Sequence, residues 1–317
     1  MAEQPPIKGP LDAMVVPRFA GAPTFARLPR IDEVERWDVA ILGVPFDSGV
    51  TYRPGARFGP QAVRQGSRLL RPYHAPLDAE PLTAQQVVDA GDLPVTPFSI
   101  ATAVEEIEAG AAPYLAGDGR LLTVGGDHTI ALPLLRAVSK RHGPVAVVHF
   151  DAHLDTWDTY FGAPVTHGTP FRRASEEGLL APHRSVHVGI RGPLFSGQDL
   201  SEDRNLGFHV IQTMEVADRG TAQVVREIRE RVGETPLYVS VDIDVVDPGL
   251  APGTGTPEAG GLLSRELLAL LRGLAGLRVM AADVVEVAPA YDHAEVTAIA
   301  AAHVAYELLA LFAKEGA

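Results

Sequence analysis

Seven short apolar runs alternate with stretches of helical spacing, and this alternation narrows the possible folds more than any other feature of the chain. The runs are WDVAILGV (37–44), RLLTV (120–124), PVAVVHF (144–150), SVHVGI (185–190), FHVI (208–211), LYVSV (237–241) and RVMAADVVEV (278–287). Their length and β-branched content suit buried parallel strands. Helices are expected over 99–116, 129–142, 221–232, 264–275 and 295–314. In the fourth, Ser264 is the expected N-cap and Leu267, Leu268, Leu271 and Leu274 form one stripe. Alternation without a linker or internal repeat predicts one doubly wound α/β domain over 37–317, after a loose, proline-marked arm over 1–36. Ligands in such sheets bind beyond the carboxyl ends of the strands. The proline- and glycine-rich segments 51–60, 161–170 and 247–261 therefore read as site-forming loops.

Polar residues gather at those strand ends. RLLTV leads to GGDH (125–128), PVAVVHF to DAHLD (151–155), LYVSV to DIDVVD (242–247), and the last run to EVAP (286–289). Residues at i and i+2 of an extended chain point to one side, so Asp151 and His153 can share a target, as can Asp242 and Asp244. Asp151, Asp155, Asp242 and Asp244 packed together would repel one another and raise their own pKa values. Two divalent cations would nearly neutralise them, with His128 and His153 completing a nitrogen and oxygen donor set that suits manganese. A single DxHxD is as often a capped strand end as a metal site, but two acid clusters with a third strand-end histidine favour the metal. His149, His187 and His209 lie within strand-like runs and read as core histidines, while exposure is expected for His74, His142, His183 and His303.

The bulk properties exclude several partners. A formal net charge of −13 without a basic run argues against nucleic acid. No apolar run is expected to span a bilayer, and the opening residues do not read as a secretory signal. The chain has no cysteine, which removes disulfides, thiolate zinc sites and cysteine nucleophiles and fits a cytoplasmic setting. The segment 251–261 lacks the lysine of a phosphate loop, and Glu258 stands where a dinucleotide fingerprint needs glycine. No GxSxG elbow is present.

Taken together, GGDH (125–128), DAHLD (151–155), HGTPF (167–171), SVDIDVVDP (240–248) and GTGTPEAGGL (253–262) resemble the ureohydrolase (arginase/agmatinase) family, and GVPFDSGVTYRPGARFGPQAVR (43–64) is similar to its agmatinase branch. The resemblance implies a single three-layer α/β/α domain, two Mn2+ per subunit and a homo-oligomer, trimer or hexamer. It places His128, Asp151, Asp155 and Asp242 around one manganese and Asp151, His153, Asp242 and Asp244 around the other. His167 matches the proton-handling histidine and Glu286 the acid that grips the guanidinium, while Asp155 could take a proton from a hydroxide bridging the two ions. The implied reaction hydrolyses a guanidino group, with agmatine giving putrescine and urea in polyamine biosynthesis.

Arginases carry an asparagine at the position of Trp157, which speaks against arginine as substrate. Asp158 and Glu258 are candidates for reading an ammonium tail, whereas Arg172 and Arg173 could welcome a carboxylate and favour 4-guanidinobutyrate. A substrate like that of proclavaminate amidinohydrolase is a further alternative. Two rivals come from other classes. A metal-dependent deacetylase would use one zinc and a tyrosine, and a non-catalytic binding protein would be expected to lack a ligand or His167.

Overall fold

The computed structural model describes residues 6–314, so residues 1–5 of the expected arm and 315–317 of the expected domain lie outside the described residues. Eight strands form one sheet: β1 Val39–Val44, β2 Val87–Asp92, β3 Arg120–Gly125, β4 Ala146–Phe150, β5 Ser185–Ile190, β6 Phe208–Gln212, β7 Leu237–Asp242 and β8 Val279–Val285. Their order is β2-β1-β3-β8-β7-β4-β5-β6 and every pairing is parallel. The helices are α1 Gly59–Gly66, α2 Ile100–Ala111, α3 Ala131–His142, α4 Pro170–Glu176, α5 Asp199–Asn205, α6 Thr213–Arg219, α7 Thr221–Val232, α8 Ser264–Arg272 and α9 Val296–Lys314.

Strand parity divides the core in two. Ala146, Val148 and Phe150 of β4 pack with residues of α1, α7, α8 and α9, while Val147 faces the cluster built with α2, α3 and α4. The result is a three-layer α/β/α domain. Local signals fix the helix ends: the Ser99 side chain accepts the Thr102 N–H at the start of α2, and Gly143 ends α3 at φ 76°.

Several expectations need correction. β2 went unread because VVDAGD offers two valines before its acids and glycine, and only its first half is buried at the sheet edge. Ser264 is the first helical residue of α8 rather than its cap, and the Glu266 carboxylate accepts the N–H of Leu263. The buried stripe of that helix runs through Leu267, Leu270 and Leu271, with Leu268 at its margin, and buried Leu274 lies just past its end. The arm is not loose throughout, since Phe25 and Leu28 enter the core and the Phe25 N–H donates to Asp89. Helix α9 is long and apolar enough to cross a membrane by length and composition, contrary to the sequence expectation. Its apolar character is explained by position: it packs on β3, β8, α1 and α8, and most of it is buried.

His74, expected to be exposed, is buried beside Glu307 of α9, its Nε2 2.8 Å from Oε2. The other oxygen of Glu307 accepts from the Arg272 guanidinium. Removing one member of such a buried set strands the others. Glu307→Ala should cost about 3 kcal/mol, measured as a lower urea midpoint with an unchanged slope.

Candidate metal centre and active site

Strands β3, β8, β7 and β4 are neighbours, so the loops leaving their carboxyl ends deliver His128, Glu286, Asp242 and Asp151 to one place. The GGDH turn needs its glycine: at Gly126, φ is 24° and a Cβ would stand 2.4 Å from the Phe46 carbonyl oxygen. Asp127 then accepts N–H groups from Thr129 and Gly49, which seats His128. After β4, the Asp151 Oδ1 accepts the His153 N–H at 2.6 Å. After β7, the Asp242 Oδ1 accepts the Asp244 N–H at 2.7 Å. Each pair is thus a tight turn folded on its own carboxylate. The Ala152 N–H donates to Asp244 Oδ1 and ties the two turns together.

Two groups of donors share Asp151. His128 Nδ1 lies 3.2 Å from Asp151 Oδ2, 2.9 Å from Asp155 Oδ2 and 3.5 Å from Asp242 Oδ2. His153 Nδ1 lies 3.2 Å from Asp151 Oδ1 and 3.1 Å from Asp244 Oδ2. The structure therefore brings all six sequence-derived ligand candidates together, with the two oxygens of Asp151 facing different histidines. The tautomer of His128 is set from behind. Ser240 Oγ donates to Asp283 Oδ1 at 2.6 Å, so it can accept only from His128 Nε2–H, 2.8 Å away. In the neutral ring the bare nitrogen is then Nδ1, which is buried without a hydrogen-bond partner and aimed at the carboxylates. Such an orphaned donor atom among acids fits a cation.

The electrostatics agree. Burial, then repulsion from Asp244 and Asp151, pushes the Asp242 carboxyl well up. Burial and Asp151 lift Asp244 to about 6. Burial opposes ionisation of Asp151, yet His149, His128 and His153 outweigh it and hold that carboxyl well below its usual range. Burial opposes a charged His128 as well, but Asp151, Asp155 and Asp242 raise it well above an ordinary imidazole. The carboxylates thus hold protons on their histidines, in the place that metal cations would take.

Beside this cluster lies a cavity of about 250 Å³ lined by Thr51, His153, Asp155, Trp157, Tyr160, His167, Gly168, Pro193, Phe195, Asp242, Thr256 and Glu258. All three loops expected to form the site contribute to it. Glu286, buried next to His167, uses Oε1 to accept from His128 N–H at 2.9 Å and from His167 Nδ1 at 3.0 Å, while Oε2 is buried without a partner. His167 Nε2 meets both the N–H and the hydroxyl of Thr51. Burial disfavours the imidazolium of His167, but Glu286, Asp155 and Asp127 overcome this and raise it to about 9. Asp155 and Glu286 both adopt positive φ, 55° and 63°. For non-glycine residues this costs about 1–2 kcal/mol and clusters at functional sites.

Not every candidate arrives. Glu258 lines the cavity, with Oε1 3.7 Å from His153 Nε2. Asp158 is largely exposed and accepts from Arg173, away from the cavity lining. Arg172 bonds the Thr156 carbonyl and Glu202, so neither arginine faces the cavity. Sequence reasoning missed Thr51, Asp127, Ser240 and Asp283. The strand parity that paired Asp242 with Asp244 also places Ser240 on the same side and could have found it.

Because raised carboxyls must lose protons before they ligate, metal affinity should fall with falling pH. Below the Asp244 value of about 6, the loss should reach about tenfold per pH unit for each proton displaced. Calorimetric titration of metal-stripped protein with Mn2+ between pH 5 and 8 checks this. Adding Mn2+ should also raise the melting temperature, and chelation should reverse the rise.

Residues 37–311 match the model of the arginase family. The guanidinopropionase of Pseudomonas aeruginosa is 47% identical over 309 residues, covering 97% of each chain. The agmatinase of Chromobacterium violaceum is 42% identical, covering 92% of this chain and 89% of that protein. The solved structure of proclavaminate amidinohydrolase from Streptomyces clavuligerus superposes with a TM-score of 0.90 at 44% identity, covering 94% of this chain and 99% of that one. With the acid and histidine cluster at its strand ends and relatives alike over nearly its whole length, this chain belongs to the arginase family.

Proposed function

We propose that the protein hydrolyses the guanidino group of a small cationic substrate, agmatine, to putrescine and urea. The observation that carries the reading is the Glu286 carboxylate: one oxygen is tied to His128 and His167, and the other is buried and unpartnered. A planar guanidinium supplies the donors such an oxygen lacks. His128, Asp151, Asp155 and Asp242 would hold one Mn2+, and Asp151, His153, Asp242 and Asp244 the second. The all-oxygen-and-nitrogen donor set supports manganese. Bound there, two divalent ions lower the pKa of water toward neutrality and so supply a nucleophile.

The remaining steps belong to side chains. Glu286 anchors the guanidinium and fixes its carbon over the acid cluster. Asp155, at the cavity wall, accepts the proton released on attack. His167 can hold a proton in two ways without moving: neutral, it donates from Nδ1 to Glu286 and accepts the Thr51 N–H at Nε2; charged, it donates from Nε2 to the Thr51 hydroxyl. That proton goes to the departing amine as the C–N bond breaks. Guanidinium and water become urea and an ammonium.

The tail reading rests on Glu258, because among the described residues no lysine or arginine lines the cavity to receive a carboxylate. A guanidino acid is the second reading, favoured by likeness to the Pseudomonas guanidinopropionase. Trp157 packs edge to face with Tyr160 and Phe195, which tilt against each other, with centroids 5.8–6.2 Å apart, and the three wall the same cavity, which suits an alkyl chain ending in a cation. The reading extends to a cytoplasmic homo-oligomer. A chain free of cysteine supports the compartment, and an apolar groove between α8 and α9, lined by Leu250, Leu268, Val296 and Ile299, supports a contact between copies.

Urea release by Mn2+-loaded protein tests the function, with agmatine, 4-guanidinobutyrate and arginine compared. Agmatine should dominate; preference for the acid would overturn the tail reading. Glu258→Gln should raise the agmatine KM about tenfold, the loss of one good ion pair, and Asp158→Ala should leave it unchanged. His167→Asn should lower kcat by about 10²–10⁴ without changing bound Mn2+.

A further inference from the structure

Behind the acid cluster runs a second, fully buried chain of polar groups that the reaction does not use. His149 on β4 faces His187 on β5 in direct register. The His149 Nε2 lies 2.8 Å from Asp151 Oδ2, its Nδ1 2.6 Å from His187 Nδ1, and His187 Nε2 3.4 Å from Asp203 Oδ1 on α5. Asp203 Oδ1 in turn accepts the Thr156 hydroxyl at 2.7 Å. His149, His187 and Asp203 are 0% exposed. Phe171 packs against His149, and Phe208 stacks on His187 at 4.0 Å, so neither ring is free to turn.

The direction of these bonds follows from what each atom can do. A carboxylate only accepts, so His149 donates from Nε2 to Asp151. The His149 and His187 Nδ1 atoms, 2.6 Å apart, can bond only if one donates and the other accepts, so the two rings are locked to one another. His187 Nε2 stands 3.4 Å from Asp203 Oδ1, a close buried contact without a hydrogen bond, and faces that carboxylate with no other partner. The chain starts on the carboxylate facing both histidines of the site and returns, through Thr156, to the peptide beside Asp155. That residue is held at positive φ, a conformation that persists only where surrounding contacts enforce it.

We propose that His149, His187 and Asp203 are positioning residues that hold Asp151 and the Asp155 turn in ligating orientation, so that the Mn2+ bound at His128 depends on a buried chain of polar contacts reaching to α5. The proposal rests on the metal reading given above. A donor to a ligating carboxylate is commonly worth ten- to a hundred-fold in metal affinity. The alternative for His149 is plain packing, and the two roles respond oppositely to substitution. His149→Phe keeps ring volume and loses the donor, whereas His149→Gln keeps an N–H and loses the ring.

The experiment counts bound Mn2+ by electron paramagnetic resonance during titration of metal-stripped full-length protein, with melting temperature of the stripped form as the fold control. Wild type should bind two ions. His149→Phe and Asp203→Asn should each weaken one of them about ten- to a hundred-fold while leaving the other, and His149→Gln should retain most of the affinity. Glu202→Gln, also on α5 but outside the chain, should match wild type. If His149→Phe does not fold, Asp203→Asn, two links removed, carries the test. Wild-type affinity in Asp203→Asn, or a loss in His149→Gln as large as in His149→Phe, overturns the proposal. Wild-type protein that binds no Mn2+ overturns the metal reading and this inference with it, which separates the two failures.

Discussion

Repulsion among four buried carboxylates is the constraint around which the rest of the molecule is arranged. Two like charges 5 Å apart at an effective dielectric near 20 repel by about 3 kcal/mol, and Asp151, Asp155, Asp242 and Asp244 form several such pairs, each no more than 6% exposed. A fold tolerates this only where cations compensate. The sheet order supplies the geometry, because β4 and β7 are adjacent and end level with one another. His128 and His153 face the acids from either side, and turns folded on their own carboxylates keep the acids from swinging out to water.

Strain enters at the same place. Asp155 and Glu286 stand at positive φ, at the ends of different loops, with no glycine to ease them. In each case neighbours over-determine the conformation. The Asp155 carbonyl accepts the Phe171 N–H, and the Glu286 N–H donates to the Gly126 carbonyl.

The chain reveals much of this before it folds, and the reasons can be traced. Strands such as Ser185–Ile190 were readable because apolar residues fill both faces of a buried parallel sheet. Ligands were readable because i and i+2 parity survives the step from strand to turn. Edge strand β2 and the short helices α4, α5 and α6 were not, since their residues carry weak periodicity and depend on tertiary contacts. The family resemblance supplied the roles of His167 and Glu286; strand-end position had marked Glu286, but no local pattern marked His167. His74 shows the converse limit: its burial depends on Glu307, 233 positions away, and no local pattern announces that partner. Asp158 and Glu258 looked equivalent as loop acids, and only the fold separates the one held by Arg173 from the one beside His153.

The pairing of β3 with β8 has a consequence in time. Leu121 lies against Ala281, and the Glu286 carboxylate receives the His128 N–H across 158 positions of chain. A ribosome adds roughly 5–20 residues per second, so the first loop of the site waits on the order of ten seconds for the strand that seats it. For most of that wait the emerging polypeptide carries His128 and the 151–155 turn without Asp242, Asp244 or Glu286, so the donor set is incomplete. Completion of the donor set is thereby deferred to the finished molecule.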